Sequence, residues 1–421
     1  MADFKLALVC DPGCEEYAVL EVKEILGKKA VLKKGFVLFD ASPEEAQKIC
    51  FYSQTANRIL VSVINGSYVE ETDFENFEKQ ILSFDYSGFH TDEMSFKVIS
   101  EVEDCDNQTI AALIGEMLHE NNSWKVDLNI PDMKLVVKGF DGSFVIGIDL
   151  TGRPLEKREY KIYHSRKTIR GTIAYSLVRF AGFTGKEKLL DPFCLDGSII
   201  IEAAIFASKF SINHYNQDFD LFKMPLFKGL KDLTENVLVD DYAITGYSSQ
   251  LKEVNNARAN SKIAGVVKNV RISKVDVSWL DTKFDEKSVD LIVTYIPESG
   301  KSISLNKAVK IQEEFFWQAD YVLSDKGFIA IIGDKVGEIS ASGMNKGFEL
   351  VEKKLVYMGK KDLWFMKFSK SKKSVSTVSK TSNASNTSKN SKVSKTSKAS
   401  KVSKVSNASK TSKVSKVKVK D

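Results

Sequence analysis

The second half of the chain alternates short apolar runs with segments of helical pattern, and this alternation constrains the fold more than any other feature. Repeated strand–helix units predict a parallel sheet with helices on both faces, and ligands of such sheets bind beyond the carboxyl ends of the strands. The strands predicted between about residues 188 and 368 are LLDPFC, YAITGYS, NVRISKVD, VDLIVTYIP and GFIAIIGD, with FELVEKKLVYM and DLWFMKF as a closing hairpin. The predicted helices are GSIIIEAAIFASKF, LKEVNNARANSKIAG and VKIQEEFFWQADYVLS.

The first 150 residues follow a different pattern. Short predicted strands such as FKLALVC and GFVLFD stand around single helices such as EEYAVLEVKEILG. Strands mixed with single helices predict small α+β units rather than a continuation of the parallel sheet.

Charge is unevenly distributed along the chain. Residues 370–421 contain 15 Lys and one Asp, which leaves 46 basic and 55 acidic residues in the remainder of the chain. The tail follows a Ser-Lys pattern and contains no aromatic residue after Phe368, so it predicts disorder. Two interpretations of it stay open: a solubilising tail, or a polycation that binds phosphate backbones in a salt-dependent way.

Several classes of protein are disfavoured by the sequence. The start MADFKLALVCDPG has no basic region or cleavage site, so we expect no signal peptide. No apolar run approaches the length of a membrane span. The five cysteines are scattered, which favours a reducing compartment, and we expect a cytoplasmic protein. The four histidines lie far apart, so we expect no metal site.

The segment DPFCLDGSIIIEAA joins the first predicted strand of the second half to a helix. A turn of this kind presents free backbone N–H groups and the positive end of a helix to an anionic ligand. An ordinary strand–helix turn accounts for the local pattern equally well.

The same segment resembles the first motif of the S-adenosylmethionine-dependent RNA methyltransferases that make N2-methylguanosine in tRNA and rRNA. The family pattern is D-P-F-C-G-S-G-T, followed by a helix with I-E-A. The positions that match are Asp191, Pro192, Phe193, Cys194, Gly197, Ile201, Glu202 and Ala203.

The resemblance extends over residues 1 to about 369. GRPLEKREYKIYHSRKTIR is similar to the family's linker, while DPGCEEYAVLEVKEI and VDLNIPDMKLVVKGFDGSFVIGIDLTG are similar to its THUMP RNA-binding module and ferredoxin-like companion. It implies an α/β fold, with a Rossmann-like methyltransferase domain built on a mostly parallel seven-stranded sheet and preceded by two α+β domains. The implied segments are a ferredoxin-like domain at 1–62, a THUMP domain at 63–153, a basic linker at 154–170, the methyltransferase domain at 171–369 and the tail at 370–421.

The resemblance also implies S-adenosylmethionine as cofactor. The implied cofactor-binding residues are Asp191, Phe193, Cys194, Gly197, Ser248 and Asp276. Two departures fall among them. Leu195 and Asp196 stand where the family has Gly and Ser, and a Leu at positive φ costs roughly 1–2 kcal/mol. Asp196 serves either as a helix N-cap or faces the cofactor carboxylate. Ser248 replaces an Asp that binds the ribose hydroxyls, at a cost of roughly 1.5–3 kcal/mol at most.

The implied catalytic segment departs further. The family has N-P-P-[YF] after the fourth strand of its methyltransferase sheet, where the Asn and a backbone carbonyl accept hydrogens from the guanine amine and the aromatic residue stacks on the base. Here the segment, called the tip below, is Tyr295, Ile296, Pro297 and Glu298. Ile296 can still offer its carbonyl, while Glu298 cannot stack and is at best a general base.

Two functions follow from these residues. One is a guanine-N2 methyltransferase acting on structured RNA, most plausibly tRNA, and the other is an inactive RNA-binding relative or accessory subunit. A partner subunit that restores the missing groups stays open. The basic linker is the candidate for RNA contact, with solvated lysines as the alternative. Its candidate RNA-binding residues are Arg158, Arg166, Lys167 and Arg170.

Overall fold

Two β-sheets with flanking helices make up the protein, as seen in a computed structural model. It describes residues 3–67, 74–165, 167–234 and 243–371, with the backbone alone at 74–76. These residues fall within one compact unit, residues 1–372. Arg166 and most of the tail lie outside the described residues, so the predictions made for them are not addressed.

The first sheet belongs to the N-terminal part of the chain. Its strands are β1 (Phe4–Val9), β2 (Val31–Lys33), β3 (Phe36–Ala41), β4 (Arg58–Ser67), β5 (Ser95–Val102), β6 (Lys125–Val126), β7 (Met133–Phe140) and β8 (Ser143–Asp149). Its helices are α1 (Glu15–Leu26), α2 (Pro43–Tyr52), α3 (Phe74–Ser83) and α4 (Asn107–Asn122). Among the described strands the order is β2-β3-β1-β4-β8-β7-β5-β6.

This sheet runs without a break across the boundary predicted between residues 62 and 63. Strand β4 spans that position and pairs antiparallel with β8, from Leu60 opposite Asp149 to Ser67 opposite Ser143. The ferredoxin-like and THUMP segments therefore share one sheet in this structure. The boundary predicted between them does not coincide with a break in the strand pairing.

The second sheet begins after the linker. Its strands are β9 (Leu189–Asp191), β10 (Ile244–Ser248), β11 (Arg271–Lys274), β12 (Val289–Tyr295), β13 (Leu323–Gly333), β14 (Phe348–Met358) and β15 (Lys361–Lys370). Its helices are α5 (Gly171–Ala181), α6 (Ser198–Ser208), α7 (Leu251–Ile263), α8 (Leu305–Val322) and α9 (Val336–Met344).

The strand order of the second sheet confirms the predicted fold class. The order is β11-β10-β9-β12-β13-β15-β14. The first five strands are parallel, and β14 and β15 form the predicted antiparallel hairpin at the other end. Strand β9 lies between β10 and β12, so the turns after these three strands meet at one edge.

Helix α5 is not among the helices predicted from the sequence. Ten of its eleven residues are buried. Its polar side chains nevertheless recur at helical spacing, at Thr172, Ser176 and Arg179, with apolar residues on the other face. An amphipathic pattern is therefore present in GTIAYSLVRFA, but it lies before residue 188, where the predicted strand–helix alternation begins.

The two sheets are held together by polar contacts of the Asp11–Tyr17 segment. Asp11 is buried and accepts hydrogen bonds from Arg170 Nη1 at 2.7 Å and from Thr172 Oγ1. The Tyr357 amide donates to the Pro12 carbonyl at 2.9 Å. A Cβ on Gly13 would collide with the backbone of β14 at Leu355, so this close approach requires glycine.

Apolar packing joins the same two parts. The segment after α6 turns back onto the first sheet, where it buries four side chains in the core of that sheet: Phe219, Leu221, Met224 and Phe227. Each stabilises the association by about 1.5–3 kcal/mol. The linker is fixed by its own side chains, with Leu155 in the core of the first sheet and Tyr160 and Ile169 in the core of the second.

No helix among the described residues is long and apolar enough to cross a bilayer. The five cysteines are free thiols, four of them buried and Cys105 exposed.

Candidate functional site at the carboxyl edge of the second sheet

The turn between β9 and α6 has the backbone that the first motif predicts. Gly197 is the N-cap of α6 with φ +85°, and a Cβ there would lie 3.0 Å from Ala257 Cβ. Leu195 also has a positive φ, of +48°. The strain expected from replacing the family's glycine by leucine is therefore present, and the Leu195 side chain is half-buried at the turn.

Asp191 is the last residue of β9, and its side chain stabilises the turn that follows. It is buried, and its Oδ1 accepts hydrogen bonds from Thr294 Oγ1 at 2.6 Å and from the Phe193 amide at 3.2 Å. Burial raises the pKa of Asp191 to about 7. Phe193 packs its ring against Phe315, and the Cys194 amide donates to the Tyr247 carbonyl of β10. These side chains shape the turn.

Asp196 is paired inside the protein. Its Oδ1 accepts from Ser198 Oγ at 2.7 Å, while Thr168 Oγ1 lies 2.5 Å and Lys161 Nζ 3.6 Å from Oδ2. The N-cap residue of α6 is Gly197, not Asp196, but Asp196 Oδ1 still accepts from the amide of Ser198, the first helical residue, at 3.4 Å. Because the Lys161 ammonium lies beside it, the Asp196 charge is offset where the family has Ser.

Lys161 is itself enclosed. Its Nζ also donates to Ser198 Oγ at 2.7 Å and to the Ile169 carbonyl. Burial lowers the pKa of Lys161, and the Asp196 carboxylate opposes that shift. The linker thus supplies a buried cation directly behind the first motif.

The end of β10 carries two oxygen groups at one point. Ser248 is buried; its Oγ donates to Glu253 Oε2 at 2.5 Å and accepts from the Gln250 amide at 3.0 Å. Glu253 lies in the first turn of α7. A carboxylate is therefore present beside the position where the family has an acid, although it comes from a residue five positions later.

Asp276 follows β11 and borders an open pocket. Its carboxylate accepts from the Ser278 amide at 3.1 Å and caps the short 3-10 helix Val277–Thr282. Trp279 in that turn is 59% exposed, which is unusual for so large an aromatic side chain. The pocket is lined by Ser249, Lys274, Val275, Asp276, Trp279, Thr282 and Lys283.

At the tip, the protein's own groups take up most of the hydrogen-bonding capacity. Glu298 is 2% exposed, and its Oε1 accepts from the amides of Asp334 at 2.7 Å and Lys335 at 3.2 Å. The Pro297 carbonyl accepts from Gln312 Nε2 at 2.9 Å. Burial raises the pKa of Glu298. The carboxylate therefore braces the turn between β13 and α9.

Lys167 covers the outer side of the tip. Its Nζ lies 3.5 Å from Glu298 Oε2 and 5.3 Å from the centre of the Tyr295 ring. The Ile296 side chain is fully buried in the core of the second sheet. The aromatic face and the remaining carboxylate oxygen at the tip are thus both in contact with a cation from the linker.

The prediction that Arg158 contacts RNA is wrong for this structure. Its guanidinium is buried; Nε donates to Glu202 Oε1 at 2.8 Å and Nη1 to the Leu155 carbonyl at 2.9 Å. Tyr160 and Gln54 also donate to Glu202, at 2.9 and 2.7 Å. Glu202 on α6 is fully buried and needs these partners, so Arg158 is part of the core.

The other linker residues differ from Arg158 in exposure. Arg170 is 36% exposed and paired with Asp11, and Lys167 is 42% exposed at the tip. The exposed part of each side chain is accessible to an RNA phosphate. Whether they contact RNA stays a prediction.

Several residues of the site could not be identified from local sequence. Lys161, Glu253, Gln54 and Gln312 each complete a hydrogen-bond network with a group on another element. Only Glu202 had a signal, as part of the I-E-A match. The contacts of the others depend on which elements pack together.

The edge as a whole fits a nucleoside cofactor. The turn and the N-terminus of α6 offer backbone N–H groups, Ser248 and Glu253 offer acceptors for hydroxyl groups, and the pocket beside Asp276 is open. Leu195 is the one residue at this edge that we found to oppose the fit, by strain and bulk.

Comparison with known proteins agrees with this geometry. The family model described as RMKL-like methyltransferase domain matches residues 158–363, and the THUMP domain model matches residues 71–149. A tRNA (guanine(6)-N2)-methyltransferase of Methanocaldococcus jannaschii is 26% identical over 367 residues, covering 83% of this chain and 95% of that protein.

Solved structures show the same fold. TrmN from Thermus thermophilus covers 87% of this chain at 20% identity, with a TM-score of 0.63 over 99% of its own length. The protein SMU.472, complexed with SAH, covers 88% of this chain at 16% identity, with a TM-score of 0.68 over 99% of its own length. The chain thus carries a THUMP domain followed by an RMKL-like methyltransferase domain of the S-adenosylmethionine-dependent class.

Proposed function

We propose that this chain binds structured RNA and S-adenosylmethionine in the cytoplasm and that it has lost efficient guanine-N2 methyl transfer. The observation that carries the proposal is the state of the tip. Glu298 is turned inward to two backbone amides, and Lys167 lies against both Glu298 and Tyr295. Two groups that would receive a guanine, the Glu298 carboxylate and the Tyr295 ring, are thus in contact with other groups of the protein.

The chemistry of the reaction explains why this matters. When bound, S-adenosylmethionine supplies an electrophilic methyl group, and the guanine amine must aim its lone pair at it. Orientation of that amine requires fixed acceptors, and misplacement by about 1 Å costs on the order of 10²-fold in rate. Tyr295 has no amide oxygen, and the Pro297 carbonyl already accepts from Gln312.

Binding of RNA is supported by other parts of the chain. The THUMP domain model matches residues 71–149, and the Methanocaldococcus relative is named as a tRNA methyltransferase. The exposed parts of Lys167 and Arg170 lie on the linker at the edge of the methyltransferase domain. We propose that the RNA is tRNA and that the protein contacts its phosphate backbone. It is therefore the first RNA to test.

A second function, active guanine-N2 methyl transfer, is favoured by one finding. The relative named tRNA (guanine(6)-N2)-methyltransferase matches this chain over 95% of its own length. Under this alternative Lys167 moves away from the tip when RNA binds, and the Ile296 carbonyl orients the amine.

The decisive experiment measures cofactor binding, RNA binding and methyl transfer on the same full-length protein. We expect calorimetry to detect S-adenosylmethionine and gel shifts to detect unmodified tRNA transcripts. With labelled S-adenosylmethionine and the same tRNA, we expect no N2-methylguanosine in a nucleoside digest. Near-stoichiometric N2-methylguanosine would contradict the proposal and establish the second function.

A matched gain-of-function variant sharpens the result. Tyr295→Asn with Glu298→Tyr returns the amide and the aromatic residue of the family pattern. We expect this variant to gain methyl transfer that the wild type lacks, because the tip then offers an acceptor and a stacking face. Lys167→Ala alone is the control, since it uncovers the tip without restoring either group.

A further inference from the structure

The loss of an acid at position 248 raises the question of which group binds the ribose of a nucleoside at this edge. In doubly wound sheets an acid near the end of the strand beside the first turn accepts hydrogen bonds from ribose hydroxyls. The residue at the end of β10 is Ser248, whose hydroxyl can accept from only a limited set of donors because it is buried and already engaged.

Glu253 brings a carboxylate to the same point. Its Oε2 lies 2.5 Å from Ser248 Oγ, so the carboxylate lies within one hydrogen bond of the strand end. An ionised carboxylate has about four acceptor sites, and the Ser248 hydroxyl uses one of them. Glu253 forms no salt bridge with any Lys or Arg of the described residues, so no cation competes for the others.

The Glu253 carboxylate also affects the first motif, in the turn after β9. Burial raises the pKa of the Cys194 thiol, and the carboxylates of Asp191 and Glu253 add to that shift. Cys194 lies in the turn after β9, and its amide bonds to β10. Because Glu253 bonds to Ser248, the residue after Tyr247, and the Tyr247 carbonyl accepts from the Cys194 amide, its carboxylate lies near the turn where the cofactor's anionic end is expected.

The neighbouring pocket has the character of a base-binding site. Ser249, the residue after Ser248, is one of its lining residues, and the largely exposed Trp279 is another. Asp276 offers a carboxylate on the other side. An aromatic face together with a polar acceptor suits a purine, and the ribose attached to that purine would extend toward Ser248 and Glu253.

We infer that Glu253, held by Ser248, is the residue that binds the ribose hydroxyls of the cofactor, with the adenine in the pocket of Asp276 and Trp279. The inference rests on the proposed binding of S-adenosylmethionine. The acid missing from the end of the strand is returned from the first turn of the following helix, at the same place in space.

The test uses calorimetry with S-adenosylhomocysteine on the full-length protein. We expect Glu253→Gln to weaken binding roughly 10- to 100-fold, since hydrogen bonds to a charged acceptor are lost. Glu286→Gln is the matched control, because Glu286 is exposed and precedes β12 at the opposite edge of the sheet. That control is expected to bind like the wild type.

Two further arms separate a ribose contact from a structural role. Wild-type protein should prefer adenosine over 2′,3′-dideoxyadenosine, and Glu253→Gln should lose most of that preference. Ser248→Asp combined with Glu253→Gln should recover affinity for S-adenosylhomocysteine, because the acid returns to the strand end.

Each outcome separates the two claims. If Glu253→Gln binds as tightly as the wild type, the role of Glu253 is overturned while cofactor binding stands. If it weakens adenosine and dideoxyadenosine equally and Ser248→Asp does not rescue, Glu253 is only structural. If the wild type binds none of these ligands at millimolar concentration, the proposed cofactor binding fails and this inference falls with it.

Discussion

The two parts of the candidate site have departed from the family pattern in different ways. At the ends of β9 and β10, called the cofactor edge here, two of the three departures have a compensating group nearby: Lys161 offsets Asp196, and Glu253 stands beside Ser248. Leu195 keeps its strained backbone. At the tip, Glu298 is bonded to the backbone of the next turn, and Lys167 covers Tyr295. The cofactor edge retains a carboxylate beside Ser248, whereas Glu298 at the tip is bonded to backbone amides of the protein.

The difference teaches how a substitution should be judged. Asp196 taken alone predicts repulsion of a cofactor carboxylate, and Ser248 alone predicts a lost hydrogen bond. Their neighbours in space reverse both expectations. Glu298 taken alone offers a general base, but two backbone amides engage its Oε1 oxygen. The effect of a substitution thus depends on which neighbouring groups form hydrogen bonds or ion pairs with the new side chain.

The largest effect is expected from the buried ion pair beneath the cofactor edge. Arg158→Ala should lower the free energy of unfolding by about 3–5 kcal/mol, because Glu202 would remain buried without its cation. Urea denaturation measures this loss. Lys157→Ala, which removes an exposed side chain next to it, should change stability by about 0.5 kcal/mol or less. If the two variants lower the free energy of unfolding equally, Arg158 is not a buried ion-pair residue and its side chain is exposed.

A second prediction concerns the compensation of Asp196 by Lys161. Lys161→Met should cost about 1–3 kcal/mol of unfolding free energy, since Asp196 keeps the hydroxyls of Thr168 and Ser198 but loses its cation. Adding Asp196→Ser, the family residue, should recover most of that loss. The measurement is a double-mutant cycle by urea denaturation. Strict additivity of the two changes would mean that the pair does not compensate.

The smallest effect is expected in the pH dependence of stability through Asp191. Its folded-state pKa is raised from 3.8 to about 7, so the unfolded chain ionises first and stability falls as pH rises across that window. Asp191→Asn should remove this loss, and stability relative to the wild type should improve by roughly 1–2 kcal/mol between pH 5 and pH 8. Denaturation at a series of pH values measures it.

The control for that pH series is Asp281→Asn, an exposed residue in the turn before β12. Its difference from the wild type should stay constant across the same range. A constant difference for Asp191→Asn as well would mean that Asp191 is ionised at low cost, and that the turn after β9 is more open to solvent than its burial indicates.

Much of the fold and the position of the site follow from sequence patterns. The strand–helix alternation predicted the second sheet, and FELVEKKLVYM with DLWFMKF predicted the β14–β15 hairpin. DPFCLDG predicted the turn with its positive-φ positions at Leu195 and Gly197. Helix α5 was missed although its polar residues recur at helical spacing, because it precedes the segment in which the alternation was predicted. The continuous first sheet depends on β4 pairing with β8.

The sequence by itself determined the second sheet, the edge where ligands bind and the departures from the family pattern, because these are properties of neighbouring residues. Only the tertiary structure decided whether the departures are compensated. Arg158 and Glu202 are 44 residues apart in the chain, and Lys167 and Glu298 are 131 apart. Whether a charge is buried, paired or free depends on which distant elements pack around it, and no local pattern records that.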